Sequence, residues 1–180
     1  MMHTAVVIAL ILLAALAVLV LLASRQPDAF EISRAIEIAA PPEHIFPAIS
    51  NLATLNTWNP FNADPSIVGT YSGPADGKGA AYAFASPKAG TGSIEITEVE
   101  PPHAVTMRLV MTKPFACDNT VVYTLAPVPK GTHVTWSMSG KNSPLARLMC
   151  ILMSPDRMVG GMFDKGLSDL KKLTEARMEA

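Results

Sequence analysis

The residues of this chain that could supply a nucleophile, a general base or a metal ligand are few. His3, His44, His103 and His133 lie far apart, with no Cys, Asp or second His at ligand spacing, which argues against a metal site. His44 follows Glu43 in a helical stretch and reads as a solvated side chain, and His133 falls on the outward parity of its strand. Cys117 adjoins Asp118, but neighbours on a strand point to opposite faces, so the two form no catalytic dyad. Cys117 and Cys150 either bridge in an oxidising compartment or sit as buried bystanders. Asp76-Gly77-Lys78-Gly79 leads into a strand rather than a helix, so it is a turn and not a phosphate loop. No cofactor is implied. The polar groups left on inward positions are Tyr82, Asn119 and Tyr123, set among Met, Val, Leu and Ile. Such a lining orients a ligand by hydrogen bonds and offers no general base.

These groups need elements to position them, and the patterning supplies strands. Phe30, Ile32, Ile36 and Ile38 recur at the period of a half-buried strand, with Arg34 alone breaking the parity. Ala40-Pro41-Pro42-Glu43 ends that strand and opens a helix with Ile45, Phe46 and Ile49 on one face, and Ser50-Asn51 opens a second short helix. Asn59-Pro60 and Asp64-Pro65 bound a loop around Trp58 and Phe61. From Ile67 onward, strands separated by Gly and Pro turns predict an antiparallel meander. One face of each strand is apolar: Ile94 and Ile96; Val105, Met107, Leu109 and Met111; Asn119, Val121, Tyr123 and Leu125; Val134, Trp136 and Met138. The element expected to cover that face is the C-terminal segment, Ser143 to Met178, whose apolar residues keep helical spacing. Ser143-Pro144 and Ser154-Pro155-Asp156 are two helix starts, which predicts a short helix before a longer packing helix. Gly160-Gly161 inside it marks a place where something comes close to the backbone, with Gly161 expected to face a ligand space, unless the helix starts only at Met162. Met107, Met111, Met138, Met158 and Met162 either fill a closed core or line a cavity.

The chain has 180 residues and a formal charge of −1, with no Lys/Arg cluster, which argues against a nucleic-acid partner. Thr4 to Ala23 carries no charge and is almost wholly Ala, Val, Ile and Leu, long enough to cross the roughly 30 Å core of a bilayer. No basic residue precedes it and Leu21 spoils a cleavage site, so an anchor is favoured over a cleaved secretory signal. The expected organisation is a transmembrane anchor over residues 1–25, a linker over 26–29 and one domain over 30–178, a single-pass membrane protein whose side of the membrane is undetermined.

Five stretches resemble one superfamily: ISRAIEIAAPPEHIF, WNPF at Trp58 to Phe61, YSGPADGKGAAY, GTHVTWSMSG and GGMFDKGLSDLKKL. They resemble the START-like, or SRPBCC, superfamily, and within it small bacterial proteins of the polyketide cyclase/dehydrase-like kind. The resemblance implies an α+β helix-grip fold, a curved seven-stranded antiparallel sheet around a long C-terminal helix, with an internal cavity for an apolar or amphipathic small molecule. On that reading the cavity lining is Trp58, Phe61, Tyr82, Met107, Asn119, Tyr123, Trp136, Met138, Met158, Met162 and Phe163. Three functions follow as expectations: a membrane-tethered binding module for a small hydrophobic ligand, a cyclase or dehydrase acting on a polyketide-like substrate, and a membrane-displayed protein-interaction domain.

Overall fold

A computed structural model of the protein describes residues 27–141 and 155–179, together with isolated positions 6, 13, 21 and 25. Apart from Val6, Leu13 and Leu21, the apolar run expected to be an anchor lies outside these residues, as do the short helix expected from Ser143 and Cys150. Among the described residues no helix is long and apolar enough to cross a membrane.

The chain order is β1 (Ala29–Ile38), α1 (Pro42–Ser50), α2 (Leu52–Trp58), a 3-10 turn (Pro60–Asn62), β2 (Val68–Ser72), β3 (Ala81–Ser86), β4 (Gly90–Glu100), β5 (Ala104–Lys113), β6 (Cys117–Val128), β7 (Gly131–Lys141) and α3 (Pro155–Glu179). The strands form one seven-stranded sheet in the order β1-β7-β6-β5-β4-β3-β2, and every pairing is antiparallel. The meander expected from the Gly and Pro turns is therefore present, and β1 returns to pair with the last strand. Two register shifts in the β4–β5 pairing leave Thr112 of β5 and Thr97 of β4 as extra residues, the count of a bulge. A bulge bends its strand and increases the local twist, and so helps the sheet to curl.

Cross-strand register sorts the concave face into rows. A deep row joins Val105, Tyr123, Trp136 and Arg34. A second row joins Ile96, Met107, Val121, Met138 and Ile32. A third crosses all seven strands through Tyr71, Tyr82, Ile94, Leu109, Asn119, Gly140 and Phe30. An outermost row holds Gly69, Phe84, Gly92, Met111 and Cys117.

The cover over this face corrects one expectation. The C-terminal helix does not lie alone in the concavity: α1 packs over β5 and β6, while α3 runs chiefly along β1 and touches α1, α2 and the 3-10 turn. The reason lies in the first two helices, where Ile45, Ala48, Ile49, Leu52 and Leu55 are each at most 2% exposed and need an apolar surface to pack on. Asn51 caps α2 by accepting from the Thr54 backbone N–H at 2.9 Å, and the Trp58 indole donates to the Ala48 carbonyl at 3.0 Å, tying the two helices together.

Helix α3 is described from Pro155 and continues without a break through both glycines, so it does not wait for Met162. The glycines differ. A Cβ on Gly160 would strike the Arg34 guanidinium, whereas Gly161 is exposed and has nothing within 4 Å of its Cβ position. The expectation that Gly161 faces a ligand space is thus corrected: the helical rotation turns it to solvent. Arg34 keeps the inward parity of β1 and does not break it. Its charge is accommodated by Asp156 at 2.7 Å and Asp164 at 3.3 Å, both on α3, and its Nη1 donates to the Ser33 carbonyl at 2.9 Å. These carboxylates hold the guanidinium firmly protonated, the Asp156 hydrogen bond contributing most.

Candidate functional site

Burial along the concave face falls from row to row. In the deep row Val105, Tyr123 and Trp136 are all 3% exposed or less, and in the second row Ile96 and Met107 are fully buried. In the third and outermost rows Phe30, Phe84, Gly92, Ile94, Leu109, Met111, Cys117 and Gly140 are only half-buried, as is Met138 beside them. Among the described residues one end of the sheet is packed shut, and at the other the apolar concave face is only half-buried, a surface called the trough below.

The closed end is an aromatic cluster. The Trp136 indole lies against Phe163 of α3 with ring centroids 4.1 Å apart and planes 7° from parallel, and against Tyr123 at 5.1 Å and 28°. Trp58 and Phe61 meet Trp136 edge-on at 6.0 and 6.2 Å. Gly166 lets the indole in, since its Cβ would lie 2.6 Å from Trp136 Cζ3 and 3.0 Å from Pro60 Cδ. Of the residues expected to line a cavity, Trp58, Tyr123, Trp136, Phe163 and Met107 are therefore brought together as a packed core. Tyr123 is wholly enclosed, and burial pushes its phenol well up. Trp136 Nε1 is buried without a hydrogen-bond partner.

The remaining expected residues divide between two places. Phe61 and Met162 border an outward cleft of about 370 Å³ with Pro60, Asp64, Pro65, Lys88 and Ala89. Its carboxylate is occupied: Asp64 accepts from the Ser66 backbone at 2.9 Å and from the Ser66 and Ser86 hydroxyls at 2.8 Å each, which lowers its pKa. Tyr82, Asn119 and Met138 belong to the trough. Met158 lies in the first turns of α3, and its side chain is outside the description.

At the β2 side of the trough, Tyr82 lies between Tyr71, tilted against it at 4.6 Å, and Phe84, stacked at 6.0 Å, and its hydroxyl donates to Asn62 Oδ1 at 3.1 Å. Burial raises its pKa, with a smaller push from Tyr71. In the middle, Asn119 is 6% exposed. Its Nδ2 faces Cys117 Sγ at 3.5 Å and Met138 Sδ at 3.9 Å, both weak acceptors. Its Oδ1 has no hydrogen-bond partner and stands over Gly140, on the side where any Cβ would collide with it. Burial pushes the Cys117 thiol up, so the thiol is held neutral.

The sequence reading missed Phe30, Phe84, Ile94, Leu109, Cys117 and Gly140 as trough residues. Their inward parity was legible, but exposure within a parity depends on where the helices stop, which the strand pattern does not encode. Among the described residues no group of three or more His, Cys, Asp or Glu side chains is placed to hold a metal. His44, His103 and His133 are all exposed, as expected for His44 and His133.

The fold has solved counterparts. A protein from Mesorhizobium loti superposes with a TM-score of 0.59 at 18% identity, covering 82% of this chain and 98% of that one. A protein from Mycobacterium smegmatis gives 0.54 at 23% identity, with 79% and 89% covered. A point mutant of norcoclaurine synthase from Thalictrum flavum, in complex with a transition-state analogue, gives 0.62 at 14% identity, with 83% and 96% covered. At these identities the likeness shows the helix-grip fold alone. Among curated proteins, none matches the chain in sequence. Residues 29–175 match the family described as polyketide cyclase / dehydrase and lipid transport, and the chain belongs to that family.

Proposed function

We propose that this protein is a membrane-tethered module that receives a small apolar or amphipathic molecule in the trough at the open end of its sheet. The observation that carries the reading is the group of apolar side chains, Phe30, Ile94, Leu109, Met111 and Met138, that stay half-buried at the edge of a packed core among the described residues. Half-exposed apolar side chains on the concave face of a sheet are the kind of surface that receives an apolar molecule. The family description, which names lipid transport beside cyclase and dehydrase, supports a ligand of this kind.

Tethering rests on the sequence. Residues 1–25 serve as the anchor, 26–29 as the linker and 30–178 as the receiving domain, because the uncharged run from Thr4 to Ala23 has the length of a bilayer span. A cyclase or dehydrase reaction needs an acid or base at the ligand. The described trough offers the Cys117 thiol and the Tyr82 phenol, both with raised pKa values and so neutral near pH 7, which favours reception over catalysis.

The test is to fill the trough. Leu109→Trp in the full chain, held in lipid nanodiscs, is expected to abolish binding of the apolar fluorophore Nile red while leaving the thermal midpoint within a few degrees of the parent. Unchanged Nile red binding would overturn the assignment of the ligand to the trough.

A further inference from the structure

Asn119 is the one amide in a row otherwise built of Tyr, Ile, Leu, Gly and Phe, and its two ends are not equivalent. The sulfurs of Cys117 and Met138 face Nδ2, which fixes the orientation of the carboxamide, because an N–H donates weakly to sulfur whereas oxygen and sulfur lone pairs repel. Oδ1 is buried above Gly140 on the concave side of the sheet, near the half-buried ring of Phe30, with no hydrogen-bond partner. Gly140 presents only a Cα hydrogen to it, a contact far weaker than an N–H or O–H bond. Buried carbonyl oxygens are as a rule satisfied, and a buried amide partnered only by a thiol and a thioether is otherwise a net cost. The other orphaned polar atom, Trp136 Nε1, belongs to an indole walled by Phe163, Tyr123, Trp58 and Phe61 at the closed end, so it is not the group that meets a ligand. The charge of Arg34 on β1 is already taken up by Asp156 and Asp164.

We propose that the trough selects a neutral ligand bearing a hydrogen-bond donor, a hydroxyl on an apolar body, and that Asn119 Oδ1 is the acceptor for that hydroxyl. The inference rests on the reading of the trough as the ligand site and adds the chemical class. A carboxylate is disfavoured there, since an anion would meet an acceptor oxygen. Gly140 is part of the device: a side chain at that position would displace the oxygen that the hydroxyl needs.

The experiment measures dissociation constants on the full chain in lipid nanodiscs, with empty nanodiscs subtracted, for 2-naphthol, 2-methoxynaphthalene and 2-naphthoate. The expected result is about tenfold tighter binding of 2-naphthol than of 2-methoxynaphthalene, the ratio that one hydrogen bond supplies, with 2-naphthoate the weakest. 1-Decanol against decyl methyl ether repeats the comparison on an aliphatic body, and a preference in either pair supports the proposal and tells a ring-borne hydroxyl from a chain-borne one. In Asn119→Leu the preference is expected to vanish while 2-methoxynaphthalene still binds, which also certifies that the variant is folded. Equal affinity for both members of both pairs in the parent chain, or tightest binding of 2-naphthoate, overturns the hydroxyl inference and leaves the trough reading intact. Binding of none of the probes overturns both, and the parent chain alone decides this if Asn119→Leu fails to fold.

Discussion

Trp136 and Phe163 stack face to face at 4.1 Å, the nearest ring pair in the described protein, and through them the last helix is seated on the sheet. Phe163 is 1% exposed and meets Phe61 edge-on as well. Phe163→Ala removes both contacts from a site that Gly166 and Pro60 cannot refill, so it is expected to cost about 3–5 kcal/mol, read as a shifted urea midpoint at unchanged slope. A loss below about 1 kcal/mol would mean that the stack is not what holds α3 in place.

Three glycines of α3 make a graded test of how the helix is seated. Gly161→Ala meets open space, so helix propensity is expected to raise stability by about 1 kcal/mol. Gly166→Ala drives a methyl into the Trp136 ring edge, and overpacking of about 1–3 kcal/mol is expected to outweigh the same propensity gain. Gly160→Ala should fall between them, because the atom it strikes is the end of the flexible Arg34 side chain, which can move at the expense of its pairing with Asp156. Thermal midpoints of the three variants give the order directly. A Gly166→Ala protein as stable as Gly161→Ala would contradict the close approach of Trp136.

The Cys117 thiol supplies a pH test with a definite sign. Burial raises its pKa in the folded protein above that of the unfolded chain. Its contribution to stability is therefore complete at neutral pH and is lost as pH climbs, from about pH 8.5 upward, because the unfolded chain then gives up the proton first. Cys117→Val should flatten the alkaline limb of the stability curve and leave the neutral value nearly unchanged. Iodoacetamide labelling, resolved peptide by peptide to separate Cys117 from Cys150, is expected to be slower at Cys117 than for a free cysteine at the same pH. Fast labelling at pH 7 would show an ionised thiol and reverse the argument.

Strand parity was the most legible part of this chain, because an alternating face is imprinted residue by residue: Val105, Met107, Leu109 and Met111 share a face in the sequence and in the sheet. The helix start at Pro42 was legible for the same local reason. What the sequence did not carry was depth. Tyr123 and Asn119 lie four residues apart on one face of β6 and read alike as inward polar groups, yet one is sealed under aromatic rings and the other borders the trough. That difference is one of packing, with no local signature. Arg34 misled for the opposite reason. A charge on an apolar face reads as an error of register until the two aspartates that receive it, some 120 and 130 residues later, are brought alongside.

The gradient of burial along the strands has a consequence for how such a chain can change over time. Substitutions in the deep and second rows are felt by every neighbouring ring, so those positions are constrained together. Leu109, Met111, Ile94 and Phe30 touch the interior on one side only, and each can vary singly at little cost to folding. A lineage of this architecture is therefore free to vary the half-buried end, proposed above as the ligand end, one residue at a time, while the aromatic end preserves the scaffold.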